Sequence, residues 1–266
     1  MMKLDDKTWS KLQETVWGHT VGILAFAANR EGYPRPELGL SQGSGVLVEV
    51  DGVFLLATCA HTLSSLGDHY LVLPLTNETR RAELTDYILA SEVRVKDLQP
   101  FNEPNSNDLA FIKIDPSRFL RDRHTFYSLN QEIPHLDTAI HVIACGAPGR
   151  MRTDTVTPTS ARVVGPKVVR WGQLRIEPVW SDSGEQIRDI LRASMVDFDS
   201  GYLDRSGEVL SPPVSWGGLS GGGFWAFAAS GPVLIGITVF EDSTSMAAVN
   251  INLWRKFYLA QLRGAH

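Results

Sequence analysis

Short runs rich in β-branched and aromatic residues, separated by glycine, proline, asparagine and aspartate, dominate the chain. Such runs read as strands with turns between them. The pattern predicts strands over 21–28, 70–74, 91–96, 109–114, 139–145, 161–170, 173–179, 191–198, 223–228, 232–240 and 245–250. Residues 44–60, "SGVLVEVDGVFLLATCA", read as a hairpin. Asp51-Gly52 joins its two arms, and that dipeptide accepts the positive φ of a type I′ turn. Residues 184–193 fit a short helix or a strand equally. Helical spacing is confined to the two ends. Over 4–17, Leu4, Trp9, Leu12 and Val16 recur with charge between them, and over 251–265 Leu253, Phe257, Leu259 and Leu262 are available to dock.

The strands fall into two clusters around a polar stretch at 115–136, which suggests two β-barrels or one large sandwich. No fixed-period repeat and no low-complexity segment interrupts them. With 266 residues, 43% hydrophobic and 21% charged, the chain suits one large domain or two small ones sharing a core surface. A net charge of -5 without a Lys/Arg cluster argues against a nucleic-acid or anionic-membrane partner. No apolar run approaches the ~18–20 residues of a membrane span. The first residues are polar and acidic rather than basic-then-apolar, so no secretory signal is expected. Cys59 and Cys145 lie inside apolar strand-like runs and read as two buried thiols. A reducing, cytoplasmic setting follows as the expectation.

"GGLSGGG" (217–223) gathers glycines around Ser220, at a cost in backbone entropy that a loose turn does not require. A hydroxyl becomes a nucleophile when a base takes its proton, and the base works best when a third group holds its tautomer. Among seven histidines, His61 stands where an apolar strand ends, in "LLATCAHTL". Among the acids, Asp108 immediately precedes an apolar strand, in "SNDLAFIKID". Taken singly, each has a structural explanation. Asp108 can cap a turn with Asn107, His61 can be a satisfied strand-end histidine, and the glycines can form a bulge.

Together, "GSGVLVEVDGVFLLATCAH" (43–61), "NDLAFIKI" (107–114) and "GGLSGGG" (217–223) resemble the three signature segments of trypsin-like, chymotrypsin-fold serine proteases, in the family's order. "VLIGITVF" (233–240) resembles the strand bordering that family's specificity pocket. The resemblance covers about residues 20–265. It implies an all-β fold of two antiparallel β-barrels packed face to face, with N-terminal and C-terminal helices. The implied organisation is a helical segment 1–19, a first barrel 20–125, a second barrel 126–250 and a helix 251–266, forming one protease domain. It implies a catalytic set of His61 as base and then acid, Asp108 as its orienter and Ser220 as nucleophile. The N–H groups of Gly218 and Ser220 would form the oxyanion hole. Val214, Val239, Phe240 and Glu241 would border the substrate pocket, and the absence of an acid at Val214 favours an apolar or small residue there. Glu241 alone reads more simply as a solvated strand-end acid. The implied partner is a protein or peptide substrate, with no metal or organic cofactor, no nucleic acid and no membrane.

The departures are specific. Leu219 stands where secreted digestive members carry the Asp that pairs with a freed N-terminus, so the chain is nearer to HtrA-like bacterial members, although no PDZ-sized tail is expected. Thr62 stands where a half-cystine usually follows the histidine. The serine that often supports the acid maps near Thr238-Val239. Two other classes compete. Gly218-Leu219-Ser220-Gly221-Gly222 also satisfies the nucleophile elbow of α/β-hydrolases. That fold needs a helix after the serine and an acid and histidine downstream, whereas only His266 follows. The remaining rival is a protease-fold peptide-binding module whose site is inactive or activated by a partner.

Overall fold

In the computed structural model, the described residues are 6–26, 40–64, 70–74, 80–82, 87–94, 108–118, 124–130, 141–146, 161–163, 167–180, 186–195, 202–203, 209–210, 218–228, 231–241 and 245–264. The first half begins with helix α1 (Asp6–His19) and continues through β1 (Thr20–Phe26), β2 (Leu40–Val50), β3 (Val53–Cys59) and the short helix α2 (Ala60–Ser64). β4 (Tyr70–Pro74), β5 (Arg80–Ala82), β6 (Tyr87–Arg94), β7 (Leu109–Lys113) and β8 (Tyr127–Ser128) follow. Their main sheet runs β6-β4-β1-β2-β3-β7, with β8 added parallel to β2.

The second half contains β9 (His141–Gly146), β10 (Ala161–Val163), β11 (Lys167–Trp180), β12 (Gln186–Met195), β13 (Tyr202–Leu203), β14 (Val209–Leu210), β15 (Gly223–Ala228), β16 (Gly231–Glu241), β17 (Ser245–Asn250) and α3 (Ile251–Gly264). β11-β12-β17-β16-β15-β9 close into an antiparallel barrel. The all-β expectation with helices at both ends therefore holds, with β10 pairing β5 outside the main sheet.

The hairpin forms as its sequence suggests. Asp51 and Gly52 take φ of 50° and 79°, and Val50 faces Val53 across the turn. The two strands are apolar on both sides for a physical reason. Val46, Val48, Val50, Leu55, Ala57 and Cys59 join the core that also contains Ile143, Trp225, Leu234 and Ile237 of the second half. The alternate residues Leu47 and Leu56 join Val21, Ile23, Ala110 and Ile112 inside the first half. Alternating side chains face opposite ways along a strand, so a strand buried on both faces loses its polar positions.

Two sequence expectations are revised. The runs 161–170 and 173–179 are not two strands of those bounds. A short strand occupies Ala161–Val163, and one long strand, Lys167–Trp180, passes through Gly172 without a turn. The ambiguous 184–193 segment lies mainly in β12, where Gln186–Met195 pairs with β11 and β17. Among the described side chains of α3, Ile251, Trp254 and Tyr258 are buried and Leu253 and Leu259 are partly covered, while Phe257 and Leu262 lie outside them. Its first turn is capped by Asn250, whose Oδ1 accepts from the Asn252 N–H at 2.9 Å. Trp254 Nε1–H donates to Ala110 O at 3.3 Å, so the helix braces the strand that begins just after Asp108.

Candidate active site

His61 lies in the first turn of α2, where β3 leaves the core, and Asp108 immediately precedes β7, the neighbour of β3. The register pairs Cys59 with Leu109, which brings the two polar residues to the same sheet end. Asp108 takes φ 52°, a left-handed conformation that Asp tolerates better than most residues. Its backbone oxygen accepts from Ala60 N–H at 3.1 Å. Its Oδ1 accepts from His61 N–H at 2.8 Å, and its Oδ2 accepts from His61 Nδ1–H at 2.5 Å. The carboxyl thus fixes both the histidine's backbone and its ring. With Nδ1 donating, the neutral imidazole presents Nε2 as its basic nitrogen. The hydrogen bond from Asp108 raises the His61 pKa above its ordinary value of 6.5, against the opposing effect of burial. Its side chain remains 51% exposed, so the ring stands at the molecular surface.

Ser220 belongs to a tight turn at the entry to β15. Gly218 and Gly221 have φ of 104° and 86°. A Cβ on Gly221 would collide with Ser44 O and Thr58 Oγ1, so this position needs glycine for space as well as for conformation. Gly221 N–H donates to Thr238 O at 2.7 Å, Gly222 N–H donates to Leu219 O at 2.8 Å, and Thr238 N–H donates to Gly222 O at 2.8 Å. The first half grips the same turn through Ser44 N–H, which donates to Ser220 O at 2.9 Å, and Ser44 Oγ, which donates to Gly218 O at 2.6 Å. Among the described residues, the N–H groups of Gly218 and Ser220 have no acceptor, and the Ser220 hydroxyl makes no hydrogen bond to His61.

One carbonyl links the two parts of the site. Thr238 O, on β16, accepts both from Gly221 N–H beside the serine and from Cys59 Sγ–H at 3.0 Å, two residues before the histidine. Cys59 is fully buried, and burial together with the nearby Asp108 pushes its thiol pKa well up. The support for Asp108 expected near Thr238-Val239 does not come from the Thr238 hydroxyl, which is buried without a hydrogen-bond partner among the described residues. A β-bulge instead falls at Val239, because Thr238 pairs with Ala248 while Phe240 pairs with Ala247.

Cys59, His61 and Asp108 offer ligand atoms within 4.8 Å of one another. The pair His61 Nδ1–Asp108 Oδ2 is engaged with itself, and a metal needs the Cys59 thiolate that burial disfavours. A metal there would have to break the histidine–carboxyl bond.

Of the pocket candidates, Val214 lies outside the described residues. Val239 is half-buried against the core shared by the two halves, and Phe240 and Glu241 occupy the last two positions of β16. The residues that sequence reading left out are Ser44, Thr58 and Cys59. Their contacts reach across up to 179 positions of the chain, and the only local signal is the Gly-Ser-Gly at 43–45.

No family model and no curated protein matches the chain. Solved structures do. The chain is 14% identical to an atomic-resolution structure of HBP, covering 94% of each chain with a TM-score of 0.53. It is likewise 14% identical to human heparin-binding protein over 94% of each chain, with a TM-score of 0.51. The inactive form of the Rv3671c protease is 12% identical, with 98% of this chain and 97% of that one covered and a TM-score of 0.46. The fold is the trypsin-like, chymotrypsin type.

Proposed function

We propose that the chain is a trypsin-like serine endopeptidase that cleaves peptide bonds through an acyl-enzyme on Ser220. The observation that carries this reading is the pair of hydrogen bonds from His61 to Asp108, one from the ring and one from the backbone. It sits at the strand end tied through Thr238 O to the turn that bears Ser220. His61 Nε2 takes the Ser220 proton as the hydroxyl oxygen attacks the substrate carbonyl. The resulting imidazolium is stabilised by Asp108. The developing oxyanion is met by the N–H groups of Gly218 and Ser220, which lack acceptors among the described residues. His61 then protonates the leaving amine, and a water activated by the same nitrogen releases the acyl group. A missing hydrogen bond between Ser220 and His61 is compatible with this role, since such bonds often tighten only once substrate is bound.

The same missing bond also fits the second reading, a peptide-binding module that does not cut or that cuts only when a partner aligns the serine. Pocket residues Val214 and Val239 favour an apolar or small side chain before the scissile bond. Two buried free thiols, Cys59 and Cys145, suit a reducing cytoplasmic compartment. Among the described residues no helix is long and apolar enough to cross a membrane. Incubation of the purified chain with a diverse peptide library tests the reading. Cleavage concentrated after apolar or small residues, and absent with Ser220→Ala at unchanged melting temperature, is the expected result. Equal cleavage by wild type and Ser220→Ala would end the assignment.

A further inference from the structure

The turn that presents Ser220 is held by groups that take no part in the proposed chemistry. Three successive carbonyls are engaged: Gly218 O accepts from Ser44 Oγ–H, Leu219 O from Gly222 N–H within the turn, and Ser220 O from Ser44 N–H. A trans peptide directs its N–H opposite to its C=O. The bond at Gly218 O therefore turns the Leu219 N–H away from Ser44, and the bond at Leu219 O turns the Ser220 N–H away from Gly222. Ser44 is fully buried, and its own carbonyl accepts from Thr58 Oγ1–H at 2.8 Å, so the clamp is anchored to β2 and β3.

The side chain of Leu219 supplies the other hold. It is 2% exposed, and it meets Ser44 where β9 ends in Gly146. A Cβ at Gly146 would lie 2.8 Å from Leu219 Cδ2 and 2.6 Å from Ser44 Oγ. The missing side chain at Gly146 makes the space that the isobutyl group and the hydroxyl share. An apolar plug at this position needs no ionic partner.

We propose that Ser44 and Leu219 are positioning residues that keep the turn bearing Ser220 formed in the resting chain, without an ion pair to a freed N-terminus and without an activating partner. The proposal rests on the reading of Ser220 as a nucleophile. It also makes a statement about the turn that can be measured without catalysis.

The test follows the rate at which a fluorophosphonate probe labels the full chain, as a function of pH, alongside amide exchange at Gly221 and Gly222. Wild type labels from the first moment, with no lag and no gain from proteolytic pretreatment. Ser44→Ala and Leu219→Ala each lower the plateau rate roughly tenfold, because a preorganised donor is released. The pH midpoint stays in place, because the His61–Asp108 pair is untouched. Leu219→Met, which conserves volume, restores most of the rate. Gly146→Ala behaves like the two deleterious variants. Exchange at Gly221 and Gly222 quickens in Ser44→Ala and Leu219→Ala. A lag in wild type, a rate in Ser44→Ala equal to wild type, or a shifted midpoint would overturn the proposal. If wild type takes no label at any pH, the nucleophile reading fails. The held turn is then decided by exchange alone, and unchanged protection in Ser44→Ala and Leu219→Ala would sink it.

Discussion

Asp108 holds His61 at two points, and the two bonds do different work. The bond to the backbone N–H at 2.8 Å places the start of α2, whereas the ring bond at 2.5 Å assigns the proton to Nδ1 and raises the ring's pKa above 6.5. A base must be neutral to accept a proton, so activity is expected to rise with pH through a midpoint above 6.5. Asp108→Asn removes the charge that raises that midpoint and offers the wrong tautomer. The expected result is a fall in kcat of about 10⁴-fold with a lower midpoint, read from a pH–rate profile; an unchanged profile would deny Asp108 its role. His61 and Asp108 were legible from sequence because each polar residue interrupts the end of an apolar strand. Ser44 was not, Cys59 read only as a buried thiol, and Thr238 only as a position near the support of the acid. Their significance comes from a hydroxyl, a thiol and a carbonyl that meet only when the two halves pack, and no local pattern marks a backbone carbonyl as an acceptor for both Gly221 and Cys59.

At the scale of elements, period and turn chemistry placed the 44–60 hairpin, β15 and β17 well. The long β11 was misread because Gly172 resembles a break, although barrel pairing on both sides carries the strand through it. The C-terminal helix was expected to dock through Leu253, Phe257, Leu259 and Leu262. Leu253 and Leu259 do pack against the core, while nothing is described of the Phe257 and Leu262 side chains. Among the described residues the deepest stripe is Ile251, Trp254 and Tyr258, where Trp254 and Tyr258 stack with centroids 6.0 Å apart and Phe111 meets Tyr258 edge-on at 4.7 Å. This stripe braces β7 from behind, next to Ala110, two residues from Asp108. Trp254→Ala should lower unfolding free energy by ~3–5 kcal/mol, measured by denaturant titration, and should loosen the Asp108 strand end as well. A change below ~1 kcal/mol would show that α3 is peripheral.

The whole molecule is joined where β2 and β3 share a core with the second barrel, and His19 sits at that junction. Its ring is buried, lies parallel to Trp225 of β15 at 5.5 Å and meets Tyr127 of β8 edge-on at 5.5 Å. Its Nδ1–H donates to Thr125 O at 2.9 Å. Nothing in the local sequence announces that the end of α1 is covered by two aromatic rings from distant strands. Burial lowers its pKa below 6.5 despite the bond to Thr125. The folded state therefore favours neutral His19. Its contribution is fully present above pH 6.5 and is lost as pH falls through the lowered folded value. His61 has the opposite sign, since its raised folded pKa adds stability below pH 6.5 that is lost as pH rises through the folded value. The stability difference between wild type and His19→Gln should accordingly be constant above pH 6.5 and move against wild type below it, followed by denaturant unfolding across pH. A pH-independent difference would mean that His19 titrates normally.

The central claim is that His61, Asp108 and Ser220 act as one unit, and covalent labelling by a fluorophosphonate probe tests it most directly. Wild type should form a single adduct, located on Ser220 by mass spectrometry, and His61→Ala should form essentially none while remaining folded. An adduct that persists undiminished in His61→Ala, or that maps to another residue, would contradict the account.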